Sequence, residues 1–232
     1  MSALATHRLA DFFANRSTVQ TVSGVSAAQS GVRNVPFILG IALLSIVSGV
    51  GISATGHYIE ILVLGTIIST VGAGLIYTLD IGSSSSKWIG YQALNGIGLG
   101  LTIQVPIIVG QAIVESADIS SITAMIIFFQ TIAGAIFVSV GQTLFANKML
   151  KELPSLLPNL DPHIVIATGA TALRKTFTPE QLPAIIRGYM DGLKDAYILG
   201  IALGGAASLV VAGMVIIDRR TLSKDKIGPG AA

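Results

Sequence analysis

The sequence contains no cysteine, few charged residues and only three scattered histidines, and each shortage excludes a class of protein. Without cysteine, disulfides, thiol nucleophiles and Cys-based zinc sites are excluded. The histidines have no metal-site spacing, so neither a metal nor another cofactor is predicted. Only 11% of the 232 residues are charged, against about 25% in soluble domains. The net charge of +2 is too small to indicate a nucleic-acid partner.

The few charges are absent from five long apolar stretches, each at least 18 residues long. A bilayer core about 30 Å thick requires about 20 apolar residues in a helix, and soluble core helices rarely stay uncharged over such a length. The pattern therefore predicts an all-α polytopic membrane helix bundle in the lipid bilayer, with about five transmembrane helices. The predicted spans are residues 35–52, 59–79, 88–114, 122–146 and 196–217.

Three polar segments surround these spans. Residues 1–34 form a polar leader, for which a disordered segment is favoured over a transit peptide. Residues 148–194 are predicted to be an extramembrane loop with short amphipathic helices, the last leading into the fifth span. Helix-start signals in this loop are Asp161-Pro162 and the capping-box spacing from Thr178 to Gln181. Residues 218–232 form a basic C-terminal tail.

Glycines and one proline mark special points within the spans. The pairs Gly96-xxx-Gly100 and Gly200-xxx-Gly204 predict faces where helices pack closely. A nucleotide-binding loop is rejected for the first pair, because the Lys-Ser/Thr of a phosphate loop is missing and the segment lies within a span. Pro106 removes a backbone hydrogen bond inside the third span, which predicts a kink.

Uncharged polar side chains within the spans are the candidate functional residues. Amides are costly in hydrocarbon, so they should face the bundle interior or a wet cavity. The substrate-path candidates are Gln104, Gln130 and Asn95, together with the aromatic Phe129. The alternatives are interhelical hydrogen bonds, worth about 1–2 kcal/mol or less, and lipid or core contact for the phenylalanine.

The sequence gives no indication of a proton-coupling site or of a catalytic site. No acid, lysine, arginine or histidine lies deep within a predicted span, where proton-coupled carriers usually place one. No nucleophile and base occupy a plausible catalytic arrangement either, so an enzyme is not expected.

Seven motifs occur together in this sequence: Gly24–Pro36, Gly72–Asp80, Lys87–Gln92, Gly96–Gly100, Gln104–Pro106, Thr123–Thr131 and Gly134–Phe137. Together they resemble the C-terminal half of fungal major facilitator exporters, in the fourteen-span drug:proton antiporter branch that includes mycotoxin efflux pumps. The resemblance runs from about residue 22 to 220. It implies part of a major facilitator fold and efflux of small hydrophobic organic substrates, such as drugs or mycotoxins, in exchange for protons. It also implies the plasma membrane, or else a vacuolar or other internal membrane.

The resemblance covers only the last five spans of that family, whose transport depends on two halves rocking about a midplane site. The chain is therefore expected to be a truncated, inactive form, or to assemble with itself or with a second transporter half. The other hypothesis is a non-transporting interaction or regulatory protein that assembles with a full-length transporter. The resemblance places the basic tail in the cytoplasm, whereas a crude count of lysines and arginines favours the opposite orientation.

Overall fold

The computed structural model of the chain describes residues 32–80, 83–168 and 172–217. These residues are almost entirely helical, and no strand occurs among them. Five helical segments are long and apolar enough to cross a membrane, which confirms the prediction of an all-α bundle with about five spans. Almost all of the predicted leader and the whole basic tail lie outside the described residues.

The described helices are numbered here in chain order. A 3₁₀ turn, Ser116–Asp118, connects α4 to α5. The helices are α1 (Val35–Thr55), α2 (Tyr58–Tyr77), α3 (Ser85–Ile103), α4 (Val105–Ala112), α5 (Ile119–Leu156), α6 (Pro162–Thr168), α7 (Leu173–Thr176) and α8 (Leu182–Ile217).

A tight turn joins α1 to α2, and the two helices pack mainly on α3 rather than on each other. Pro36 lies in the first turn of α1, where its missing N–H costs no hydrogen bond. The helix ends at Gly56, which adopts a φ of 75° and donates its N–H to the carbonyl oxygen of Ile52 at 2.7 Å. Glycine accepts this left-handed conformation without steric cost, so the chain reverses and α2 begins at Tyr58.

The third membrane segment is divided at Gln104 into α3 and α4. Pro106 lies in the first turn of α4 and has no N–H to donate to the carbonyl of Thr102. The carbonyl of Gln104 instead accepts from the amides of Ile107 at 3.1 Å and Ile108 at 3.0 Å, which starts the new helix. The break therefore lies two residues before the proline.

The fourth and fifth membrane segments belong to helices much longer than the predicted spans. Helix α5 continues to Leu156 and α8 already begins at Leu182, whereas charge-free runs placed the corresponding limits at 146 and 196. At 1.5 Å per residue, the 38 residues of α5 extend about 57 Å. This exceeds a hydrocarbon core of about 30 Å, so both helices project beyond it. The first charged residues indicate where each helix leaves the lipid, and both helices continue beyond those residues.

Helix α3 is the centre of the bundle, with α1 on one side and α2 on the other. Helix α2 also packs on α8, α8 packs on α5, and α5 contacts α4. Most of α3 and α4 is buried inside the protein, whereas only a small part of α5 is. The least covered membrane helix is therefore the one at the margin of the bundle.

Outside the spans, the end of α5, the helices α6 and α7 and the start of α8 enclose a small hydrophobic cluster, the loop core. Phe145 on α5 stacks edge-on against Tyr189 on α8 with ring centroids 4.6 Å apart. The predicted loop 148–194 is therefore a packed unit that joins α5 to α8. The buried members of the loop core are Met149, Leu153, Val165, Leu173, Phe177, Ile185, Tyr189 and Leu193.

Both helix-start signals of this segment make the hydrogen bonds that such signals predict. The carboxylate of Asp161 accepts from the backbone amide of His163 at 2.9 Å. The backbone amide of Thr178 donates to Oε1 of Gln181 at 3.2 Å, which is the reciprocal bond of a capping box. These bonds fix where the chain turns back toward α8.

Candidate substrate groove

An open groove with a volume of about 720 Å³ lies between α1 and the residues around the break that divides α3 from α4. Gln104, at the break itself, contributes an exposed side chain to its wall. A methyl group added to Gly49 would lie 3.9 Å from Cδ1 of Ile108, so the two walls approach each other at that point. The lining residues are Ser45, Ile46, Gly49, Val50, Ser53 and Ala54 from α1, and Gln104, Ile107, Ile108 and Gln111 from the opposite wall.

Four polar side chains occur in this lining, and two of them have hydrogen bonds within the protein. Ser45 donates its hydroxyl to the carbonyl of Ala42 at 2.9 Å. Gln111 donates from Nε2 to Oγ1 of Thr123 on α5 at 2.9 Å. Gln104 and Ser53 are exposed in the groove. Among the described residues, the lining contains no charged side chain, so this part of the groove is uncharged but able to form hydrogen bonds.

Asn95 lies in the bundle interior and not in the groove. Its side chain is completely buried, and Oδ1 accepts a hydrogen bond from the hydroxyl of Ser69 on α2 at 3.3 Å. A methyl group on Gly72 would lie 2.7 Å from Cα of Asn95, so α2 and α3 are in close contact here. The geometry of Asn95 is that of an interhelical hydrogen bond.

Gln130 and Phe129 lie on α5 and do not line the groove. Phe129 is 59% exposed, and its ring meets that of Phe128 edge-on at 5.7 Å. Gln130 is half-buried. Because Gly110 packs against Ile126 in an antiparallel pair, Gln130 lies one turn further along α5, at about the depth of Pro106.

The glycines of α3 face two different helices. A methyl group on Gly96 would meet the carbonyl oxygen of Phe37 on α1, and one on Gly100 would lie 2.7 Å from the carbonyl oxygen of Ile41. Gly98, two residues from each, points about 200° away on a helix of 3.6 residues per turn and meets Ser69 on α2. Helix α3 is thus held closely on both sides.

On α8, the second predicted glycine pair is also buried, at Gly200 and Gly204. Beside it, Ser208 donates to the carbonyl of Gly204 at 2.9 Å and lies 3.4 Å from the hydroxyl of Thr70 on α2. Within residues 32–80, 83–168 and 172–217, no group of three His, Cys, Asp or Glu has an arrangement suited to a metal ion.

The sequence prediction selected Gln104 but overlooked most of the groove. Ser45, Gly49 and Ser53 follow one another at intervals of four residues, and this spacing places small and polar residues on one helix face. That repeat is the sequence pattern that could have identified the α1 wall of the groove. Gln111 was visible as an intramembrane amide, but its position beside α1 depends on how the helices pack.

The chain resembles several curated proteins over nearly its whole length. It is 42% identical over 207 residues to an MFS-type transporter of Pestalotiopsis microspora, covering 89% of this chain and 38% of the relative. For the MFS-type transporter astH of Aspergillus oryzae, identity is 39% over 199 residues, covering 86% and 35%. For an MFS-type efflux pump of Arthroderma benhamiae, it is 38% over 213 residues, covering 92% and 39%.

No family model matches the chain. The chain spans somewhat more than a third of the length of these curated relatives. Its place in their C-terminal part, and in a fourteen-span branch, stays a prediction. The relatives are named as transporters and not as enzymes, and the resemblance to fungal major facilitator exporters is confirmed: over about nine-tenths of its length, the chain is similar to part of fungal proteins named as MFS-type transporters and efflux pumps.

Proposed function

We propose that the chain forms part of a membrane transporter that exports hydrophobic organic compounds, such as drugs or mycotoxins, from the fungal cell. The observation that carries the proposal is the 37–42% identity, across about nine-tenths of the chain, to proteins named as MFS-type transporters and efflux pumps. Export in this sense requires a cell-surface membrane, so we assign the chain to the plasma membrane.

The groove between α1 and α4 supplies a wall of the substrate path in this proposal. Its volume of about 720 Å³ lies within the range of pockets that hold small organic molecules, about 300–1,000 Å³. It is mostly apolar with a few polar groups, which is the usual composition of such pockets. Among the substrate-path candidates, Gln104 is the residue that lines it.

We further propose that coupled export requires helices beyond the five described here, from the same polypeptide or from a partner. The charged side chains of the described residues lie outside the five charge-free stretches, for example Glu60 in the first turn of α2 and Lys87 in the first turn of α3. A proton-exchange mechanism generally uses an ionisable group within the membrane. In this proposal that group belongs to the additional helices.

A chimera tests the transport proposal directly. The matching region of the Arthroderma benhamiae efflux pump is replaced by this chain and expressed in yeast cells loaded with a panel of hydrophobic dyes. We expect energy-dependent dye efflux that approaches that of the unmodified pump. Correct membrane insertion without efflux of any dye that the parent pump exports would contradict the proposal.

The chain alone tests the need for further helices. The purified chain is reconstituted in vesicles with an imposed proton gradient, and dye movement is followed with and without the gradient. We expect no gradient-driven movement. Robust gradient-driven movement by the chain alone would show that five helices suffice, while leaving the export proposal intact.

A further inference from the structure

The described residues that line the groove include no charged side chain and no aromatic ring, unlike the lining of a general multidrug pocket. Glu115 follows the end of α4 and lies outside the lining, as do Phe128 and Phe129 on α5. The hydrogen-bonding groups that do line the groove are two hydroxyls and two amides, from Ser45, Ser53, Gln104 and Gln111.

We propose that the groove binds uncharged organic molecules that carry carbonyl or hydroxyl groups, and that it rejects organic cations. The identification of these molecules as transported substrates rests on the proposed function. The preference for neutral molecules is a property of the described residues themselves and holds whether or not the chain transports.

The rejection of cations follows from the cost of removing a charge from water. An organic cation that enters an apolar site loses hydration, and a carboxylate or an aromatic face within about 6 Å is the strongest replacement for it. The groove provides neither. The apolar lining, which includes Ile46, Val50 and Ile107, would remove water from the bound molecule without replacing its interactions.

The acceptance of neutral oxygen-bearing molecules follows from the groups that remain available. A primary amide has two N–H donors and a carbonyl acceptor, and a hydroxyl both donates and accepts. Gln111 uses one N–H for Thr123, so its carbonyl oxygen and its second N–H can bond a ligand. Gln104 is exposed at the helix break, where its amide can donate to a ligand carbonyl.

Protection of a single introduced thiol measures binding on the chain itself. Because the chain has no cysteine, Ser53→Cys places a unique thiol in the groove, three residues after Val50 on its α1 wall. Ser85→Cys, at the exposed start of α3, provides a matched control outside the groove. Both variants are placed in lipid nanodiscs, and the rate of modification by N-ethylmaleimide is measured.

The ligands are a matched dye pair. Nile red is an uncharged phenoxazinone with a carbonyl oxygen, and Nile blue is the related cation in which an iminium group replaces that oxygen. At a Nile red concentration about ten times its dissociation constant, modification of the Ser53→Cys thiol should slow about tenfold. Nile blue should leave the rate unchanged, and neither dye should affect Ser85→Cys.

A charge substitution in the groove provides the sharper test. In the Ser53→Cys background, Gln104→Glu replaces the amide by a carboxylate of nearly the same shape, and protection by Nile blue should then appear. Gln104→Leu should weaken protection by Nile red. Gel filtration and Trp88 fluorescence verify that each variant keeps its fold.

Two results would overturn the proposal. One is equal protection by both dyes in the unsubstituted groove, and the other is no protection by either dye in a folded protein. If the chimera exports dyes while the groove shows no protection, the proposed function stands and this inference fails. If the groove shows the predicted protection while the chimera fails to export, the inference stands and the proposed function fails.

Discussion

Gly98 is the point where the backbones of α2 and α3 tolerate the least added volume. A methyl group there would lie 2.6 Å from Cα of Ser69 and 2.8 Å from the carbonyl oxygen of Gly65, with the amide nitrogen of Ser69 closer still. Favourable carbon–carbon contacts lie at about 3.5–4.0 Å, so Gly98→Ala requires the two helices to separate by about 1 Å. All three atoms belong to backbone, so no side-chain rotation removes the clash.

The expected change in the stability of the fold combines two opposing contributions. Overpacking in a tight interface costs about 1–3 kcal/mol, while replacing glycine by alanine within a helix contributes about 0.5–1 kcal/mol of stability. We therefore expect Gly98→Ala to destabilise the fold by about 1–2 kcal/mol. Gly90→Ala is the matched control, because Gly90 lies exposed on the same helix and nothing lies within 4 Å of the added methyl group.

The only tryptophan provides the assay. Trp88 lies at the start of α3, and the guanidinium of Arg33 at the start of α1 lies 5.7 Å from its ring centroid. Its fluorescence should change when α3 separates from its neighbours during a titration with SDS in mixed micelles. We expect Gly98→Ala to shift the transition to lower SDS and Gly90→Ala to leave it unchanged or raise it. Equal transitions for the two variants would refute the close packing of α2 on α3.

Three further substitutions test the groove and the loop core. Gly49→Phe should fill the groove and abolish the protection of the Ser53→Cys thiol by Nile red, whereas Gly49→Ala should preserve it, because the nearest atom lies 3.9 Å away. Leu153→Ala, at a fully buried site, should cost about 2–5 kcal/mol and expose residues 157–181 to protease, whereas the partly exposed Leu156→Ala should have little effect. The pKa of the Glu180 carboxyl is lowered by hydrogen bonds from its own backbone amide and from Thr178. The ionised carboxylate therefore stabilises the folded chain above the pKa of the unfolded state, and this stabilisation is lost as the pH falls through the folded pKa. Glu180→Gln should therefore flatten the acid dependence of protease resistance below about pH 4.5, and an unchanged pH profile would contradict that assignment.

The five spans were predictable because the bilayer imposes two constraints that a single sequence records directly. Hydrocarbon excludes charge, and its thickness sets a minimum helix length. The full helices were less predictable, since Lys148 and Lys151 lie within α5 without interrupting it. Outside lipid, Lys148 forms a salt bridge with Glu152 one turn later, at 3.3 Å, and a charged helix is stable there.

The candidate site was predictable only in part, because a polar residue in a span can either be enclosed between helices or be exposed in a groove. Asn95 and Gln104 both appear in the sequence as amides in an apolar run, yet the first is enclosed between α2 and α3 and the second is exposed in the groove. What separates them is the neighbouring helix. Gly72 lets α2 approach Asn95 closely, whereas none of the described helices covers Gln104. The hydrophobic periodicity of one helix does not show which distant helix packs against it.

The groove itself follows from a change in residue size along one pair of helices. Where α1 first meets α3, glycine faces glycine, and a methyl group on Gly40 would lie only 3.0 Å from the backbone of Gly96. Further along, a methyl group on Gly49 would have only the side chain of Ile108 within 4 Å among the described residues, so a side chain and not backbone lies between α1 and α4 there. The break at Gln104 lies between these two regions and lets α4 take its own direction. The close glycine contacts thus fix one end of the wall, and the side chains that follow Gln104 set the width of the groove.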